Sequence, residues 1–186
     1  MDFQNLYFIA LIPPQTICEE VTAIKTDFAN HYNSKKALKA MPHITLKAPF
    51  KLYEEDQEKL LDWFRSLALA SQNFTVNLNG FGCFDNSKAP VIYVKPEVSQ
   101  ELLSLQKELI KSITLHFPEI STHYHENDFS PHMTVAYRDL SHEEFTKAWQ
   151  VYQKKEYKRS FEVNGLYLLK HDTKQWNIIS EHFLQE

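Results

Sequence analysis

Apolar positions along this chain fall into short strand-like runs separated by longer stretches of helical period. Residues 7–12 run almost without a polar break into Pro13-Pro14, the pattern of a buried strand. Ile17, Val21, Ile24 and Phe28 then recur at helical spacings, predicting a helix that begins near Pro14. Residues 33–39 are polar and basic and read as a loop, after which residues 43–47 form a strand stopped by Pro49. Glu54, Glu55, Asp56 and Glu58 crowd the start of the next helix, where the dipole favours anions, and Leu60, Phe64 and Leu67 give it a buried stripe. Phe74, Val76 and Leu78 alternate as a strand and run into Asn79-Gly80-Phe81-Gly82, where two of the three glycines predict a turn or bulge.

The cycle then begins again. Residues 91–94 are an apolar strand ended by Pro96, and Leu102, Leu105, Leu109 and Ile113 mark one face of a helix. Residues 116–129 read as an irregular polar loop, and residues 132–136 as a strand. Ser141 and Glu144 form a capping box opening a helix that buries Phe145, Ala148, Trp149 and Tyr152. Phe161, Val163 and the run 166–169 read as one strand, and residues 171–174 turn the chain so that residues 176–179 return as a hairpin partner.

Two segments match across the halves. Pro42-His43-Ile44-Thr45-Leu46 and Pro131-His132-Met133-Thr134-Val135 share the order Pro, His, apolar, Thr, apolar, with the histidines at an offset of 89 (43 to 132). Phe74-Thr75-Val76-Asn77 matches Phe161-Glu162-Val163-Asn164 at an offset of 87 (74 to 161). Similar offsets at separate landmarks indicate a duplicated unit. The expected fold is α+β, with two pseudo-symmetric lobes, each a small antiparallel-rich sheet with outer helices, and a cleft between them. One bilobal domain spans residues 1–186, lobe one over about residues 1–88 and lobe two over about 89–186, with the terminal hairpin able to cross between them.

On a strand, positions i and i+2 share a face, so each motif offers one imidazole and one hydroxyl side by side. One such His-x-Thr is ordinary strand sequence. Two copies facing one cleft supply a proton acceptor, a proton donor and two hydroxyls for phosphoryl oxygens, which is equipment for acid–base chemistry on a phosphodiester.

Composition narrows the setting. The 186 residues are 43% hydrophobic and 24% charged, as in an ordinary globular protein, and the net charge of −4 argues against coating a long nucleic acid. It leaves room for a small phosphate ester in a local basic pocket. Cys18 and Cys83 show no metal or disulfide spacing, so free thiols in a reducing cytoplasm are expected. The start, with its acidic Asp2, does not read as a signal peptide, and no apolar run is long enough for a membrane span. His123 and His125 form a His-x-His pair without further ligands at zinc spacing, and His31, His116, His142, His171 and His182 read as surface positions. No Gly-rich phosphate loop is present. No metal or cofactor is called for. Nothing in the sequence speaks to oligomeric state, and a monomer is the default.

His43-Ile44-Thr45-Leu46 and His132-Met133-Thr134-Val135 together resemble the two-histidine phosphoesterase superfamily, with its 2′–5′ RNA ligase-like proteins and RNA cyclic phosphodiesterases. The resemblance extends to the first strand, the Gly80-Phe81-Gly82 stretch and the final hairpin. It implies metal-independent phosphodiester hydrolysis, or reversible ligation, on 2′,3′-cyclic phosphate RNA ends or small cyclic nucleotide esters. His43 and His132 would be acid and base, and Thr45 and Thr134 would hold phosphoryl oxygens. Many RNA ligase-like members carry Arg shortly after the second motif, and here Arg138 follows Ala136-Tyr137. Strand alternation puts Lys47 on the face of His43 and Thr45 as a phosphate partner, with a solvated strand end as the alternative. Tyr137 and Phe50 are candidates to stack a base, although an aromatic beside a strand is more often core. The rival reading is a module that binds RNA ends or phosphate without turnover, and a duller one is a structural protein whose histidines are satisfied core polars.

Overall fold

The computed structural model describes residues 4–185, with the backbone alone for Tyr124 and His125. Asp2 and the side chain of His125 thus lie outside the described residues. Along the chain, β1 (Gln4–Leu11) leads through α1 (Gln15–His31) to β2 (Ile44–Tyr53), α2 (Gln57–Arg65) and β3 (Phe74–Phe84). The second cycle has β4 (Val91–Pro96), α3 (Gln100–His116), the single turn α4 (Tyr124–Asn127), β5 (Met133–Ala136), α5 (His142–Tyr152) and β6 (Lys158–Val163). Strands β7 (Gly165–His171) and β8 (Trp176–Phe183) close the chain.

Two four-stranded antiparallel sheets result, ordered β2-β1-β7-β8 and β5-β4-β3-β6. They exchange strands between the halves of the repeat: β3 joins the second sheet, and β7 with β8 returns to the first. The stretch expected as one strand through Phe161 and Leu169 is therefore two, parted at Asn164 and belonging to different sheets. Gly165 permits the crossing, because a Cβ there would come within 2.8 Å of the His182 carbonyl oxygen. The matched segments pair with each other, Phe74 opposite Val163 and Val76 opposite Phe161. An antiparallel pair of equivalent segments is two-fold symmetric about its middle, which here is Thr75 opposite Glu162.

The helices follow their apolar spacing. Leu102, Leu105, Leu109 and Ile113 are the buried face of α3, and Ser99 caps it by accepting from the Leu102 N–H. Ser141 caps α5 by accepting from the Glu144 N–H, while the Glu144 carboxylate accepts from Lys147. One continuous core joins both sheets and the helices. The apolar run of β1 is explained by burial on both sides: Tyr7, Ile9 and Leu11 enter the core, while Phe8 and Ala10 pack with Leu169 on the opposite face.

The motif strands depart from plain alternation in the same way. In β2, Leu11 faces Ile44, Ala10 faces Thr45 and Ile9 faces Lys47, so Leu46 is an extra residue. In β5, Val94 faces Met133, Tyr93 faces Thr134 and Ile92 faces Ala136, so Val135 is extra. Each His-x-Thr is followed by a bulge that buries two consecutive residues, Leu46 with Lys47 and Val135 with Ala136. β2 also runs on past Pro49 to Tyr53 instead of stopping there. It is an edge strand, and Pro49 falls at a second irregularity between the Ile9–Lys47 and Tyr7–Phe50 pairs, where a missing N–H is tolerated.

Lys47 is consequently turned into the core, on the side of Ile9. Its Nζ donates to both Glu126 carboxylate oxygens at 2.9 Å and to the Ser121 carbonyl at 3.0 Å. The N–H groups of Ala48 and His123 donate to the same carboxylate, and Gln106 donates to the Glu126 carbonyl. Lys47→Met should strand that carboxylate and cost about 3–5 kcal/mol. Lys47→Met combined with Glu126→Gln should cost clearly less than the sum of the single changes, as read by urea unfolding of all three variants.

Candidate active site

Between the sheets lies a cleft of about 480 Å³, within the usual range for small-molecule sites. Its lining includes His43 and Thr45 from the first motif and His132 and Thr134 from the second. The two halves of the duplication thus meet in one cavity.

Each histidine is oriented by the same local bond. The ring of His43 places Nδ1 2.6 Å from the Met41 carbonyl, and that of His132 places Nδ1 2.8 Å from the Ser130 carbonyl. A carbonyl only accepts, so Nδ1 carries the proton in both rings, and Nε2 holds the lone pair when the ring is neutral. The prolines between carbonyl and histidine, Pro42 and Pro131, fix this short span.

Aromatic walls hold the rings. Phe8 packs on His43 with centroids 4.9 Å apart and meets Trp176 edge-on at 4.5 Å. Phe84 meets His132 edge-on at 5.1 Å, and Tyr93 lies 5.6 Å from it. Gly82 makes room for Tyr93, since a Cβ there would lie 2.4 Å from its ring.

The further candidates separate. Tyr137 and Arg138 line the cleft, and the Arg138 guanidinium lies over the Tyr137 ring at 5.2 Å. β5 ends at Ala136, so Arg138 does not continue a strand face; it sits in the left-handed region with φ of 60°. Next to it, Asp139 accepts from Ser34 Oγ and from the N–H groups of Lys35 and Lys36, which ties this turn to the basic loop. Lys47 does not share the face of His43 and Thr45, because the bulge at Leu46 reverses the alternation. Phe50 is likewise core, stacked on Tyr7 with centroids 5.9 Å apart.

Several cleft residues are not apparent in the sequence, Phe8 among them. His171 reads as a surface position and Trp176 as part of a hairpin, yet both line the cavity in edge contact at 4.9 Å. Their position depends on β7 and β8 crossing to the first sheet. Lys25, a buried lysine of α1, is another. Its signal was available: it lies four residues after Val21 and three before Phe28, a cation within the buried stripe.

Burial pushes the His43 imidazole down to about 4, the Met41 carbonyl opposes this, and the charges of Lys25 and His132 add to it. Burial also lowers the Lys25 ammonium to about 8. Among the described residues no group of three or more His, Cys, Asp or Glu side chains is placed to hold a metal ion.

The sequence matches the model of the 2′-5′ RNA ligase superfamily over residues 13–175. The chain belongs to that superfamily. A relative from Oceanobacillus iheyensis, provisionally named a phosphoesterase, is 30% identical over 75% of this chain and 74% of its own. One from Bacillus cytotoxicus, similarly named, is 34% identical over 69% of this chain and 67% of its own. Among solved structures, a Thermus thermophilus protein matches with a TM-score of 0.67 at 18% identity, covering 97% of this chain and 98% of that one. E. coli LigT complexed with 3′-AMP matches with a TM-score of 0.62 at 16% identity, over 98% and 99% of the two chains. These last two likenesses are of fold. Among the described residues no helix is long and apolar enough to cross a membrane.

The His43 environment predicts a pH effect on stability. Unfolded, the ring protonates near 6.5, whereas folded it does so near 4, so the unfolded state binds more protons between these values. This contribution should be fully present above about pH 6.5 and lost as the pH falls toward 4. Urea midpoints measured from pH 7.5 to 4 should fall less steeply in His43→Gln than in the wild type.

Proposed function

We propose that this cleft hydrolyses a phosphodiester without a metal, with a 2′,3′-cyclic phosphate at an RNA end or a small cyclic nucleotide ester as substrate. The observation that carries this reading is the pair of His–Thr sets on symmetry-related strands, lining one cavity with their histidines oriented by the same carbonyl bond. A water oxygen forms a new bond to phosphorus while the bond to one ribose oxygen breaks. One histidine takes the water's proton and the other delivers a proton to the departing ribose oxygen. Thr45 and Thr134 donate to the non-bridging oxygens as their charge grows. With a ribose hydroxyl of a second end in place of water, the same two proton transfers form the bond from that oxygen to phosphorus, break the ring bond to one ribose oxygen, and so join two ends.

Because burial keeps His43 neutral in the free protein, it suits the accepting role, which leaves the donating role to His132. Tyr137 and Trp176 offer aromatic rings to a base, and exposed Arg138 offers charge at the rim. Complexes of the structural relative LigT with 3′-AMP and with phosphate support a small phosphate ester as ligand.

Turnover of 2′,3′-cyclic nucleotides tests this directly. His43→Ala and His132→Ala should each lower kcat by about 10²–10⁴. Thr45→Val and Thr134→Val should cost up to about 10²–10³. The acid limb of kcat/KM should lie well below the ordinary histidine value and disappear in His43→Ala. Activity should persist in excess EDTA; loss that zinc or magnesium restores would sink the metal-free mechanism, and tight binding without turnover would favour a recognition module.

A further inference from the structure

The structure buries two lysines and treats them differently. Lys47, fully buried, is matched by a carboxylate, two of whose oxygens its ammonium contacts. Lys25 is 3% exposed, and its Nζ donates to a single partner, the Ala40 carbonyl at 2.9 Å. Among the described residues no carboxylate pairs with it. An ammonium has three donors, and burying its charge without a counter-ion is costly. Folding tolerates that cost at a residue that also lines the cleft of His43 and His132.

We propose that Lys25 is the anion anchor of this cleft, its ammonium taking a non-bridging oxygen of the phosphate held between the two histidines. The proposal rests on the function argued above and names the group that neutralises the substrate's charge. It assigns to α1 the cationic role that alternation had given to Lys47. The Ala40 bond aims the ammonium and ties α1 to the turn before the first motif, so the anchor and His43 are set by one short segment. The depressed ammonium accords with an uncompensated charge. Burial is its cause, and Cys18, a titratable neighbour on the same helix, opposes the shift. The other titratable or charged groups facing the cavity are His43, His132, His171, Tyr137 and Arg138. An anion there favours the charged ammonium of Lys25, so the cation is fully formed when the phosphate is bound.

The probe is inorganic phosphate. In Lys25→Met its Kd should rise about 10- to 100-fold, the worth of one hydrogen bond to a charged group. KM for a 2′,3′-cyclic nucleotide should rise in parallel, and kcat should fall as well, because charge on that oxygen grows toward the transition state. The variant should unfold at the same or higher urea concentration, since it removes a buried charge. Should it fail to fold, 15N NMR of the lysine side chains in the wild type decides: phosphate should move the Lys25 titration upward. Unchanged phosphate affinity, a fall in kcat with KM constant, or a Lys25 titration indifferent to phosphate would overturn the anchor. A wild type that turns over cyclic nucleotides while Lys25→Met binds phosphate normally refutes the anchor and spares the function. Lys25-dependent phosphate binding without turnover does the reverse.

Discussion

A β-bulge placed directly after each His-x-Thr decides what the two motif strands can offer. Up to the threonine the strand alternates, with His and Thr toward the cleft and Ile44 or Met133 toward the core. The bulge then sends two successive residues inward. At the second of these the two halves differ, Ala136 in one and Lys47 in the other, and the larger, charged residue demands a partner. Glu126 meets the demand, and in doing so collects the N–H groups of Ala48 and His123. A departure from regular strand geometry thus requires a buried ionic hub. That hub in turn fastens the segment between α3 and β5 against the first motif strand.

Much of this was readable in the sequence, for identifiable reasons. Strong local patterns survived folding: the stripe of α3, the Ser141 cap and the final hairpin all appear where their spacing put them. Duplication was visible because two unrelated landmarks shared nearly one offset. What failed was extrapolation of period two past a bulge, which misplaced Lys47; of the two aromatics offered for stacking a base, Tyr137 lines the cleft and Phe50 takes the core position that was its alternative. Aligning the two motifs one residue further would have set Lys47 against Ala136 and suggested a core position. His171 and Trp176 could not be found locally. Their place depends on a sheet exchange at Asn164 that no nearby residue announces.

The two halves hold their histidines by the same bond and wall them with different neighbours. Both histidines use the carbonyl two residues upstream to fix their protons, so either could in principle give or take one. His43, however, lies near Lys25 and against Phe8, while His132 lies between Phe84 and Tyr93. Duplication supplies two equivalent groups, and their surroundings have diverged; the donor and acceptor roles proposed for them would draw on that difference.

The first sheet is completed by β1 pairing with β7, Tyr7 opposite Lys170 and Ala10 opposite Tyr167. These partners are far apart in sequence, 163 residues from Tyr7 to Lys170, so the ladder closes a very long loop. Contacts of such high order form late and slowly. On the ribosome, a nascent chain holding both motifs but lacking the last hairpin would leave β1 with an open edge and the cleft without Trp176 and His171. Both histidines are translated well before the cavity they line exists, and the growing chain exposes a strand edge until β7 and β8 emerge.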